Sequence, residues 1–175
     1  MVDDETIQEN VLEKHIHSLK EQQWVAPLDA DGIIDTVSSD LGVDVEEVVY
    51  NIKLLDDNFC IDHQPSIGGN GTTELKTRGV EEYEDLSDDV VVPLGDIAEV
   101  LTHLDDEERQ SPRSPNLSRD ELLDNTDLSE EELDVTVWYL CNTGHIEART
   151  SLGTPVWISA KIERRGRETL KKMDN

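Results

Sequence analysis

Leu75-Lys76-Thr77-Arg78-Gly79-Val80-Glu81-Glu82-Tyr83 and Ile162-Glu163-Arg164-Arg165-Gly166-Arg167-Glu168-Thr169-Leu170 are the two stretches on which the fold turns. They align at an offset of 87 and share an apolar residue, a glycine four residues on, and an apolar residue four further. The correspondence extends outward. Pro27-Leu28-Asp29 with Ile33-Ile34 matches Asn116-Leu117-Ser118 with Leu122-Leu123 at an offset of 89. Val48, Ile52, Leu55 and Ile61 match Leu133, Val137, Leu140 and Ile146 at 85, and Leu12, Ile16 and Leu19 match Ile97, Leu101 and Leu104 at the same 85. The fall of four is about one helical turn; the rise of two fits a change in a hairpin loop. Such an ordered series describes two copies of one unit of about 85 residues. The expected domains are 1–87 and 88–175.

Each copy reads locally as helix, helix, helix, hairpin, helix. Leu94, Ile97, Ala98, Leu101 and Leu104 have the spacing of an amphipathic helix, and the first copy carries a longer one from about Glu5 to Trp24. Ser118 with Glu121 and Ser129 with Glu132 are capping boxes, and Asp44 with Glu47 is their Asp analogue. The third helix is expected to bury Val45, Val48, Val49, Ile52 and Leu55 in copy one, and Leu133, Val137, Leu140 and Cys141 in copy two. Cys60 to His63 and Thr72 to Leu75 then flank a glycine-rich tip, Gly68-Gly69-Asn70-Gly71. In copy two, His145 to Thr150 and Val156 to Ala160 flank Leu152-Gly153-Thr154. Val90-Val91-Val92 reads as a short buried strand between the domains.

This order, with a short turn at Leu41-Gly42-Val43 between the second and third helices, resembles the winged helix-turn-helix family. Leu75…Gly79…Tyr83 and Ile162…Gly166…Leu170 resemble the strand-to-helix signature of its MarR-, ArsR- and PadR-like members. Thr77 stands where a threonine often opens that helix in the family; copy two has Arg164 there. The resemblance implies a mainly α fold with small β-hairpin wings (α+β) in two tandem winged-helix domains. It also implies one of two functions: DNA binding for transcriptional control, or protein–protein docking by the same fold without DNA.

The charge bears on that choice. The 175 residues include 41 acidic and 15 basic side chains, a net charge of −26. The acids are spread along the chain between apolar positions, and lysine is scarce. The pattern resembles that of a folded protein from a salt-loving microbe, whose charges are screened over ~3 Å in molar salt; an ordinary acidic cytosolic protein is the other reading. There is no run of about 18 apolar residues for a membrane span, and the acidic N-terminus is not a signal peptide. Two cysteines make no disulfide framework. The expected location is the cytoplasm, with no membrane partner.

Duplex binding needs cations for phosphates. Residues 161–175 hold 6 of the 15 basic residues and sum to +3, whereas residues 1–160 sum to −29. The candidate contacts are Lys161, Arg164, Arg165, Arg167, Lys171 and Lys172, with Arg149 on the facing wing strand. The same cluster also reads as a basic last turn complementing a helix dipole. On the third helix of copy one the candidates are Asn51 and Lys53, beside Tyr50, with Lys76 and Arg78 near the wing; asparagine can pair with adenine, and lysine with guanine or phosphate. In copy two the corresponding face carries Glu130, Glu131 and Asp134, which disfavours groove reading.

The long first helix offers a second surface. Ile7, Val11, Leu12, Ile16, Leu19 and Trp24 exceed the needs of a small core and fit a homodimer through the N-terminal helix, or docking onto the second domain. No metal, cofactor or enzyme site is expected. Asp29-Ala30-Asp31-Gly32 has its glycine too early for a calcium loop and reads as a helix start. Cys60 and His63 lack a second ligand pair for zinc, and His15 and His17 point to different faces of a helix. No phosphate loop or nucleophile elbow is present.

Overall fold

The computed structural model describes residues 2–22, 27–151 and 156–173. Among these, the chain forms two compact units, residues 2–19 with 27–91 and residues 20–22 with 92–173. The first holds α1 (Asp4–Gln22) up to residue 19, then β1 (Leu28–Asp29), α2 (Ala30–Leu41), α3 (Val45–Asp57), β2 (Ile61–Ser66), β3 (Gly69–Leu75) and α4 (Thr77–Ser87). The second repeats the order as α5 (Leu94–Gln110), β4 (Leu117–Ser118), α6 (Arg119–Asn125), α7 (Glu130–Asn142), β5 (Ile146–Thr150), β6 (Trp157–Ile162) and α8 (Arg164–Met173). Each unit has a three-stranded antiparallel sheet, in the order β1-β3-β2 and β4-β6-β5. The molecule is thus mainly α with small sheets.

Element starts repeat at the sequence offsets. β1 and α2 map to β4 and α6 at 89, α3 and β2 to α7 and β5 at 85, and α4 to α8 at 87. The missing turn lies in α6, with 7 residues against 12 in α2. Local chemistry sets these starts. Ser118 and Glu121 exchange two hydrogen bonds of 2.8 and 3.2 Å, and Ser129 and Glu132 do so at 2.8 and 3.3 Å. Each pair satisfies backbone donors that a helix start leaves open. Asp29 accepts the Gly32 N–H at 3.0 Å and so caps α2.

The core of the first unit gathers Val48, Ile52 and Leu55 from α3, Ile33, Ile34 and Val37 from α2, and Ile61 and Leu75 from the sheet. In the second, α5 packs on α7, α8 and β6 through Ile97, Val100, Leu101 and Leu104. The glycine shared by the two quoted stretches has one role twice. A methyl group on Gly79 would collide with the Cys60 carbonyl, and one on Gly166 with the His145 carbonyl. Those same carbonyls accept the N–H groups of Lys76 (3.0 Å) and Glu163 (2.9 Å). The last helix of each unit is therefore seated directly on the base of its hairpin.

Several expectations are corrected. Val45 and Leu94, at the first residues of their helices, are exposed, and Val49 and Cys141 are only half-buried. Val91 and Val92 are buried, but Val90 is exposed and the segment is a bend rather than a strand, with the Val91 N–H donated to the Glu84 side chain at 2.7 Å. The first hairpin turns at Ile67-Gly68, and Gly69 to Gly71 belong to β3. Trp24 and the tip Leu152 to Thr154 lie outside the described residues.

Ile7, Val11, Leu12, Ile16 and Leu19 are all buried within the single chain, so they leave no apolar stripe on α1 for a second copy. His15 is buried beside them at 2% exposure, and its Nε2 makes no hydrogen bond. Loss of hydration pushes its pKa down to about 4.

Candidate functional site

α8 reads RRGRETLKKM, five cations against one acid. Gly166 faces the hairpin base, so Arg164, Arg165, Lys171 and Lys172 fall on exposed positions. Arg164 is 85% exposed and pairs with Glu168 at 2.7 Å. A pair so exposed contributes little to stability and yields to a better anion. Lys161 on β6 is held by its cross-strand neighbour Glu147 at 2.7 Å and by Glu163 at 3.5 Å. Arg167 braces the unit internally, bonding Glu108 of α5 at 2.6 Å and the Ile162 carbonyl at 3.4 Å. Arg149 is exposed on β5. Among the described residues no carboxylate lies within ion-pair distance of Arg149, Arg165 or Lys172.

An open cleft of about 570 Å³ gathers part of this group, lined by Gly144, His145, Glu163, Arg164, Arg165, Glu168, Thr169 and Lys172. His145 forms its back wall. Its Nδ1 lies 2.6 Å from the Thr143 hydroxyl and its Nε2 3.1 Å from that of Thr169. Burial, and then the charge of Arg165, lower its pKa, so the ring stays neutral at pH 7 and behaves as an anchored wall.

The first unit brings its candidates together differently. Asn51, expected on an exposed face, is fully buried. Its amide donates to Asp4 at 3.1 Å and to the Glu47 carbonyl at 3.0 Å, while its oxygen accepts from Gln8 at 2.9 Å. It ties α3 to α1 and is closed to a base. Lys53 and Tyr50 are exposed, but they share α3 with Glu46, Glu47 and Asp57, all exposed too. Lys76 pairs with Asp62 at 3.4 Å, and Arg78 with Glu81 and Glu82 at 3.3 and 3.1 Å. The cations of this unit are thus matched by acids beside them.

The chain matches no protein-family model and no curated protein.

Two structural features have no local sequence signal. Asp134, expected on an exposed face of α7, is 1% exposed. Arg119 grips it at 2.9 and 2.7 Å, and the Trp157 indole N–H adds a bond of 2.8 Å. That bidentate pair raises the Arg119 pKa. With residues 133–138 all buried, α7 offers no open face over its middle turns. Second, Phe59 adopts a left-handed φ of 61° while its ring is 71% exposed. At an offset of 85 it corresponds to Gly144, with φ of 73°. Aligning the two copies would have found this position.

Proposed function

We propose that the chain is a tandem winged helix-turn-helix protein of a halophilic archaeon that binds duplex DNA in transcriptional control, through the wing and last helix of its second unit. The observation that carries this reading is α8. Among the described helices it alone has net positive charge, inside a chain of −26. Cations clustered on one element of an otherwise acidic protein are the electrostatic footprint of a phosphate-binding surface. The repeated order of helix, strand, two helices, hairpin and helix supports the fold assignment.

The reading assigns the contacts to Arg149, Arg164, Arg165, Lys171 and Lys172. Lys161 and Arg167 position the hairpin and α8. The burial of residues 133–138 and the acids of the first turn argue against base reading by α7, so the expected binding is backbone-dominated and weakly sequence-selective.

A second reading, protein docking without DNA, is favoured by the acidic exposed face of α3. Anisotropy of a labelled duplex, followed from low salt to molar KCl, separates the two. The DNA reading expects affinity that falls with salt, and loss of binding when Arg164, Arg165 and Lys172 are changed to glutamate. Neutralising the same three with glutamine should reduce the salt slope by about 3. No duplex affinity at any salt, in a chain that remains folded, rejects it and leaves docking.

A further inference from the structure

The two units are natural variants of one another, and one corner differs in a directed way. In the first unit, Arg78 is held by Glu81 and Glu82. Its counterpart is Arg165, with Glu168 and Thr169 in place of the two acids. Thr169 carries no charge, and Glu168 is taken by Arg164, which replaces Thr77. One helical turn further, Asp85 is replaced by Lys172. At the mouth, Phe59 is replaced by Gly144, which removes a large side chain. The same backbone corner thus carries paired acids in one unit and, among the described residues, unpaired cations beside a cleft in the other.

We propose that the cleft of the second unit holds the phosphate group of a small phosphate-bearing ligand, gripped by Arg165 and Lys172, with Arg164 leaving Glu168 to join them. Three cations against two carboxylates, Glu163 and Glu168, favour an anion. Arginine matches a phosphate with two parallel N–H donors, and lysine adds a point charge. The cleft is open and its lining is mainly polar, which suits a hydrated anion held by side chains at its rim. The neutral His145 wall, hydrogen-bonded at both nitrogens, fixes the back of the site. The site draws on the cations that the duplex reading also uses, but does not require that reading; a nucleic-acid backbone is the other source of the group.

The test uses the full chain, labelled with nitrogen-15 and titrated with inorganic phosphate at constant KCl, and in parallel with a short DNA duplex. Phosphate should shift the amides of Gly144, Arg165 and Lys172 saturably. Arg165→Gln, and Lys172→Asp as in the first unit, should each weaken phosphate binding about tenfold. Both side chains are exposed, so the fold is preserved. Absence of saturable shifts, or equal affinity in the variants, overturns the proposal. Phosphate binding without duplex binding upholds the cleft and rejects the DNA reading. Duplex binding without saturable phosphate binding rejects the cleft alone.

Discussion

Phe59 and Gly144 occupy the same left-handed turn, with φ of 61° and 73°. A side chain there meets its own carbonyl, at a cost of about 1–2 kcal/mol. The Phe59 ring recovers little of this, because it is mostly in water. The two positions should therefore respond with opposite signs. Phe59→Gly should stabilise the chain by about 1 kcal/mol, and Gly144→Ala should destabilise it by a similar amount, although nothing lies within 4 Å of the added methyl. Urea unfolding at fixed KCl reads both; a Phe59→Gly chain that is less stable would show that the ring packs more than its exposure suggests. His15 gives a pH signature. Its unfolded value is 6.5 and its folded value about 4, so between them the unfolded chain binds a proton that the folded chain refuses. Its contribution is complete above pH 6.5 and is lost as pH falls towards 4. From pH 7 to 5 this amounts to about 2 kcal/mol. His145, also lowered, acts in the same direction. His15→Leu should flatten the stability profile across this range without removing it entirely.

At the scale of elements, Asp134 is the point where the second unit is most exposed to damage. It holds α7 to Arg119 at the start of α6 and to Trp157 at the start of β6. Asp134→Ala would leave the indole donor unpaired and the Arg119 guanidinium with Glu130 alone, at 3.2 Å; breaking a fully buried pair costs about 3–5 kcal/mol, and the remaining Glu130 contact sets the loss towards the lower end. Denaturation midpoints of Asp134→Ala and wild type check this; a loss below about 1 kcal/mol would mean that solvent replaces the carboxylate. Legibility in the sequence also divides between elements. Capping boxes and helix periods are local, so Ser118, Ser129 and the apolar stripes were legible, as were the offsets that place the lost turn in α6. Asn51 and Asp134 were not. Periodicity assigns polar residues to the surface, and their burial is compensated by partners distant in sequence, Asp4 and Gln8 for one, Arg119 and Trp157 for the other. Val45 and Leu94 failed for a different reason: each is the first residue of its helix and is left exposed there, although it fits the apolar period. The cationic cluster was visible as composition; its division into structural Arg167 and accessible Arg165 needed Glu108, far away on α5.

For the whole molecule, −26 charges on 175 residues repel one another unless salt intervenes. The screening length falls from ~10 Å at 0.1 M to ~3 Å at 1 M salt. Thermal unfolding should therefore shift upward by several degrees as KCl rises over that range, by relief of repulsion in the compact state. A melting temperature that is flat or falling in calorimetry would remove the high-salt interpretation of the coat.

The seat of Gly79 on Cys60, and of Gly166 on His145, has a mechanical consequence. At each site a backbone hydrogen bond and a contact without room for a methyl group lock a helix to the foot of a hairpin. Hairpin and helix then behave as the two arms of one lever. A displacement of the β5–β6 pairing should therefore carry α8 and its cations with it.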